Sequence, residues 1–161
     1  MKNSVILLVY GEGGHKAQMS RLYALIKRKK TADIGFIGIC ENNHKIEEIE
    51  NYSVFPLRDK YSKIKSFKYF FKNILEYIKI CRYIDNKYNI LGVISTGPGI
   101  AIPISIFMKI RRKKIIFIET WSRFYTKSKT GKYMYYISDK FYIQNKILKN
   151  IYPKAVYGGL L

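Results

Sequence analysis

An apolar run, Val5-Ile6-Leu7-Leu8-Val9, ends at Tyr10 and gives way at once to Gly11-Glu12-Gly13-Gly14-His15, after which apolar residues return at helical spacing. The run is far shorter than the ~18 residues needed to span a bilayer, so it reads as a buried strand that a glycine loop joins to a helix. Gly11, Gly13 and Gly14 let the backbone take positive φ and come close to a ligand. The helix that follows aims its unpaired N–H groups at the same place, which suits an anion and above all a phosphate. His15 stands at the rim with a side chain that can give or take a proton near neutrality. A tight strand-to-helix turn that needs glycine for geometry alone reads the same way, and His15 then only caps the helix.

The remaining chain repeats the alternation. Residues 16–30 carry Met19, Leu22, Leu25 and Ile26 at helical spacing, with Lys27, Arg28, Lys29 and Lys30 at an end that suits the helix dipole. Strands are expected at 34–39, 53–57, 90–95, 114–118 and 141–143, and a last extended piece at 155–157. Helices are expected at 62–88, 100–109, 131–138 and 144–150. In the long one, Ile64, Phe67, Phe71, Ile74 and Ile78 trace an apolar face, and Lys63, Lys65, Lys68, Lys72 and Lys79 a basic one. This order predicts an α/β domain over 1–161, a mostly parallel Rossmann-like sheet flanked by helices. Ligands of such sheets bind beyond the carboxyl ends of the strands, so the loops at 11–15, 96–99 and 119–123 share one rim.

Known nucleotide motifs do not fit the first loop. The dinucleotide fingerprint wants a third glycine where Lys16 stands, and the P-loop wants Gly-Lys followed by Ser or Thr. Thr96-Gly97-Pro98-Gly99 is a turn taken alone; beside the first loop it becomes a second set of backbone donors for a diphosphate. Glu119 closes an apolar strand and either pairs with Arg123, four residues on, to shape the loop, or orients substrate hydroxyls or His15. The stretch at 127–132, Lys127-Ser128-Lys129-Thr130-Gly131-Lys132, reads as a basic loop that touches phosphate or lipid head groups.

Lysine and arginine number 30 against 11 acids, which points to an anionic partner: lipid head groups, a phosphorylated substrate or nucleic acid. Aromatics interleaved with lysine admit a nucleic-acid-binding or scaffolding module as the alternative reading, although no nucleic-acid signature is present. Cys40 and Cys81 lack metal-ligand spacing to His15 or His44, so no metal, no cofactor and a reducing compartment are expected. Neither a signal peptide nor a transmembrane helix is expected, and membrane contact is then peripheral, on the cytoplasmic face.

The motifs together resemble a known family. Gly11 to His15, Thr96 to Gly99, Glu119-Thr120-Trp121-Ser122-Arg123, Thr130-Gly131-Lys132, Ser138-Asp139 and Tyr152 to Gly159 recur in its order. The family is the acceptor-side subunit of the two-chain UDP-N-acetylglucosamine transferase of lipid-linked oligosaccharide synthesis, and the likeness is greater to its bacterial capsule and exopolysaccharide branch. The resemblance implies one half of a GT-B glycosyltransferase, little active alone, that binds a polyprenyl-diphosphate-linked acceptor at the membrane while a separate chain holds the UDP-sugar. It implies diphosphate contacts from Gly11, Gly13, Gly14, Thr96, Gly97, Gly99 and Arg123, with His15 as base or acceptor contact and Glu119 as orienting acid. Trp121 departs from the family pattern, where a small or polar residue is usual, and the N-terminal anchor helix of eukaryotic members is not expected here.

Overall fold

The computed structural model describes residues 2–29, 34–57 and 66–161. Seven strands, β1 (Ser4–Tyr10), β2 (Gly35–Glu41), β3 (Glu50–Val54), β4 (Asn89–Ser95), β5 (Lys114–Ile118), β6 (Lys140–Ile143) and β7 (Val156–Tyr157), form one sheet. Their order is β3-β2-β1-β4-β5-β6-β7, and every neighbouring pair is parallel. The chain winds outward from β1 in one direction, returns, and winds outward from β4 in the other. The switch point therefore lies between β1 and β4, where the loops that leave neighbouring strands diverge and open a crevice.

Helices cover both faces. α1 (Gly14–Lys29) lies on one, and α2 (Ser66–Lys87), α3 (Ala101–Ile110) and α4 (Lys129–Ile137) on the other. Strand periodicity divides the core accordingly. Val5, Leu7 and Val9 of β1 join Tyr77, Cys81 and Ile84 of α2, Ile104 and Met108 of α3, and Met134 of α4 in one cluster. Leu8 and Tyr10 join Met19 and Tyr23 of α1 in the other. Because both faces of β1 are covered, its sequence is continuously apolar rather than alternating.

Most expected elements lie within two residues of their observed bounds, and four readings need correction. The third strand runs from Glu50 to Val54 rather than over 53–57, in register with β2 from Ile37 to Glu41. Pro56 has no N–H to continue a ladder, and Asn51 and Tyr52 supply the pairing instead. The face that α2 buries is Asn73, Tyr77, Cys81 and Ile84, while Phe71 is 51% exposed and Ile74 and Ile78 are half-buried. Two polar groups move this stripe: the Tyr77 hydroxyl donates to the Phe55 carbonyl (2.7 Å) and the Asn73 amide to the Pro56 carbonyl (2.9 Å). Ser62, Lys63, Ile64 and Lys65 at the expected start of that helix lie outside the described residues, as do the side chains of Phe67 and Lys68, and Lys30. Lys129 to Lys132 are not a loop but the first turn of α4, with Ser128 as N-cap accepting from the Gly131 N–H (2.8 Å). Lys127 lies over the rings of Tyr135 and Tyr152. The expected helix at 144–150 is a 3-10 turn, Lys146–Asn150, capped by Asn145.

The connection from β2 to β3 is pinned by a small polar cluster. The Asn51 amide donates to the carbonyls of Ile46 (2.7 Å) and Ile49 (2.6 Å), and Asn51 Oδ1 accepts from the Tyr10 hydroxyl (2.5 Å). Gly38 makes room for it, since a β-carbon there would lie 2.2 Å from Asn51 Oδ1 and 3.0 Å from the Tyr10 hydroxyl. Gly38→Ala should therefore cost about 1–3 kcal/mol as an overpacked core substitution, read from urea unfolding. A variant as stable as the wild type would show that the cluster can move aside.

Candidate functional site

The crevice at the switch point is floored by the loops after β1 and β4, and the two are interlocked. His15, one residue into α1, places Nδ1 2.6 Å from the Thr96 carbonyl, and the Thr96 hydroxyl donates back to the His15 carbonyl at 2.9 Å. A carbonyl can only accept, so Nδ1 carries the proton and Nε2 of the neutral ring keeps its lone pair. Burial lowers the His15 pKa below its ordinary 6.5, against the Thr96 hydrogen bond and the charge of Glu119, which act the other way. The ring is thus held as a neutral base.

Glycine is required where these loops touch. A β-carbon on Gly97, whose φ is +95°, would lie 2.6 Å from His15 Cε1 and 2.8 Å from Nδ1, so the ring packs on bare backbone. One on Gly11 would lie 2.7 Å from both Pro98 Cγ and Glu41 Oε2. Ser95 closes the floor, its hydroxyl donating to the Val9 carbonyl (2.9 Å) and accepting from the Gly97 N–H (3.2 Å). Gly13 takes φ +60° and accepts from the Ala17 N–H at 3.0 Å, so α1 starts with the N–H groups of Gly14, His15 and Lys16 lacking an intrahelical acceptor. Gly99 packs against Leu57.

The loop after β5 reaches the same crevice through Trp121, whose indole nitrogen stands 3.7 Å from the point a Gly14 β-carbon would occupy. Its other two candidates behave differently from one another. Glu119 is 1% exposed, and its carboxylate accepts from the Thr120 N–H (3.0 Å), the Ser128 N–H (3.4 Å) and the Tyr152 hydroxyl (2.8 Å). Arg123 is exposed and donates to the Thr126 hydroxyl (3.2 Å), so the Glu119–Arg123 pair does not form. Gly131 lets Glu119 in: a β-carbon there would fall 2.0 Å from its Oε2. Burial, and then the charge of Glu119, push the Tyr152 phenol up, so it donates at all ordinary pH. Glu119 is therefore a wall residue at the start of α4, where the helix dipole favours a carboxylate, and it acts on His15 through charge rather than contact.

Sequence reasoning brought His15, the glycines, Thr96 and the third loop to one rim. It passed over Glu41, buried at the end of β2 beside Gly11, and Glu12, whose Oε2 lies 3.1 Å from His44 Nε2. The signal for Glu41 was the one that found Glu119, an acid closing an apolar strand. For Tyr152 there was none, because it meets Glu119 across 33 residues. Among the described residues no group of three or more His, Cys, Asp or Glu gathers to hold a metal, and no helix is long and apolar enough to cross a membrane.

A parallel sheet in this order, with an interlocked glycine-loop crevice at its switch point and no dinucleotide fingerprint, defines one GT-B-like half. MurG of Acinetobacter baumannii has the same fold: it superimposes with a TM-score of 0.64 at 10% identity over 88% of this chain, which spans 41% of MurG. The chain belongs to the family described as "Oligosaccharide biosynthesis protein Alg14 like", whose profile matches residues 6–161. Its relatives include the UDP-N-acetylglucosamine transferase subunit ALG14 of Kluyveromyces lactis, 26% identical over 100% of this chain and 80% of that protein. The human ALG14 subunit is 36% identical over 73 residues, 42% of this chain and 34% of that protein.

Two outcomes follow from this geometry. Tyr152→Phe removes a donor from the buried Glu119 carboxylate and should destabilise by about 1–3 kcal/mol in urea unfolding; wild-type stability would place the carboxylate's support elsewhere. Because the folded His15 pKa is depressed, the unfolded chain takes up the proton first as pH falls through 6.5. Stability from neutral His15 is complete above 6.5 and lost below it toward the folded value. His15→Asn should therefore lose less stability than wild type between about pH 7 and about pH 5, and an equal loss would refute the assignment.

Proposed function

We propose that residues 1–161 form the acceptor-binding half of a two-chain glycosyltransferase, with a separate chain supplying the UDP-sugar. The observation that carries this reading is the crevice itself: the N–H groups of Gly14, His15 and Lys16 lack an intrahelical acceptor there, and His15, locked to the loop after β4, keeps an unprotonated Nε2 beside them. Gly11, Gly13 and Gly14 with Gly97 and Gly99 line the diphosphate of a polyprenyl-linked acceptor, and Thr96 fixes His15 through its carbonyl and hydroxyl. His15 then takes the proton of the attacking sugar hydroxyl as general base, with the charge of Glu119 supporting its basicity. Arg123, exposed at the rim, supplies a cation to the acceptor's phosphates. Family membership supports the pairing, since the matched relatives are named as transferase subunits.

The rim around α4 supports attachment to an anionic membrane surface, which we place on its cytoplasmic face. From 120 to 138 the sequence holds Arg123, Lys127, Lys129 and Lys132 and no acid. Phe124, Tyr125, Tyr133 and Tyr136 are exposed there, Tyr136 by 80%. Cations with amphipathic rings suit the head-group region. We assign the chain to the bacterial capsule and exopolysaccharide branch on the likeness of its motifs to that branch.

Co-expression with a chain that binds a UDP-sugar should give transfer to a polyprenyl-diphosphate-linked acceptor in membranes, where this chain alone gives little. His15→Ala should cut the turnover of the pair about tenfold or more, on the scale of general-base effects. Equal activity from this chain alone would sink the two-chain reading, and unchanged turnover would remove His15 from the chemistry.

A further inference from the structure

Trp121 is the protein's one tryptophan, and it stands where the glycine loop is otherwise open. A β-carbon on Gly13 would meet nothing within 4 Å; one on Gly14 would meet Trp121 Nε1 at 3.7 Å and, chain neighbours and helix backbone aside, no other atom within 4 Å. The indole nitrogen thus borders the space beside the free N–H groups at the start of α1. Indole N–H is a donor only, and this one has no hydrogen-bond partner among the described residues. The ring is half-buried and fixed from outside: the Arg21 guanidinium lies over it, 4.8 Å from the centroid, and Arg21 Nη1 donates to the Leu161 carbonyl at 2.9 Å.

We propose that Trp121 is an anion-contacting residue of the glycine-loop site, giving its indole N–H to a diphosphate oxygen, and that Arg21 is its positioning residue. The proposal rests on the diphosphate reading of the crevice given above. A neutral donor on a broad apolar ring does what a lysine would not: it meets a phosphate oxygen at its nitrogen and walls the bound molecule with carbon. Arg21 does more than hold the plane. A cation over the π face draws electron density from the ring, which makes the N–H a stronger donor, while the guanidinium itself remains engaged with the Leu161 carbonyl.

A lone tryptophan makes the test direct. Farnesyl diphosphate and inorganic pyrophosphate are titrated into the full chain by calorimetry, with emission followed in parallel and the single indole N–H resonance by NMR. Both ligands should bind, change the emission and move that resonance. Trp121→Phe, which keeps a ring and loses the donor, should bind on the order of tenfold more weakly, the scale of one hydrogen bond to a charged group. Arg21→Ala should weaken binding and shrink the shift of the indole resonance on binding, and Arg21→Lys, which can still place a cation over the ring, should restore both. If wild type binds farnesyl diphosphate while its indole resonance stays put, or Trp121→Phe binds as tightly, the role of Trp121 falls and the site reading stands. If wild type binds neither ligand by calorimetry, the diphosphate reading falls and the proposal with it. Should Trp121→Phe fail to fold, the wild-type resonance alone decides.

Discussion

His15 and Thr96 are bonded to each other twice, ring to carbonyl and hydroxyl to carbonyl, and the working end of the sheet depends on that pair. It joins the loops on the two sides of the switch point, sets the histidine tautomer, and requires bare backbone at Gly97. Ser95 repeats the join one residue earlier, from β4 to the end of β1. The crevice is therefore a preorganised floor rather than two loops that meet over a ligand. Preorganised donors need no reorientation when negative charge arrives beside them.

A second fastening, at Glu119, stands behind the first. Gly131, Ser128 and Tyr152 converge on one buried carboxylate, and through it the loop after β5, the start of α4 and the segment after the 3-10 turn are tied to the strand end. Within the motifs at 130–132 and 152–159, Gly131 and Tyr152 thus owe their residue types to packing round an acid. Asp139 is similar: its Oδ2 accepts the Ile115 N–H at 2.7 Å, and backbone hydrogen bonding and Lys109 hold its carboxyl below the usual range against the opposing effect of burial. What resembles a set of ligand-binding signatures is partly scaffold.

The fold was largely legible because local chemistry and tertiary structure agree along most of the chain. Glycine after a short apolar run marked β1 and α1, and the same grammar marked β4 and α3. Two of the failures share one cause: polar groups satisfied from a distance. Asn73 and Tyr77 are buried because Phe55 and Pro56 offer carbonyls, which a hydrophobic count along α2 cannot register. Glu119 was recognised as an acid of consequence, yet its partner proved to be Tyr152 and not the adjacent Arg123. Trp121 was noticed as an oddity of sequence; only its approach to Gly14 made it part of the site.

The join between His15 and Thr96 closes 81 residues of chain, and Ser95 to Val9 closes 86. Contacts of such separation form late, since the entropy of closing so long a segment is spent before they return anything. During synthesis, β1 and α1 leave the ribosome with no neighbour for their crevice side, and the site comes into being only when β4 slots beside β1. The crevice is thus absent from the chain until β4 is in place. An apolar β1 without its partner is meanwhile an exposed strand edge, and the crowded interval before β4 arrives is when this chain is most open to wrong association.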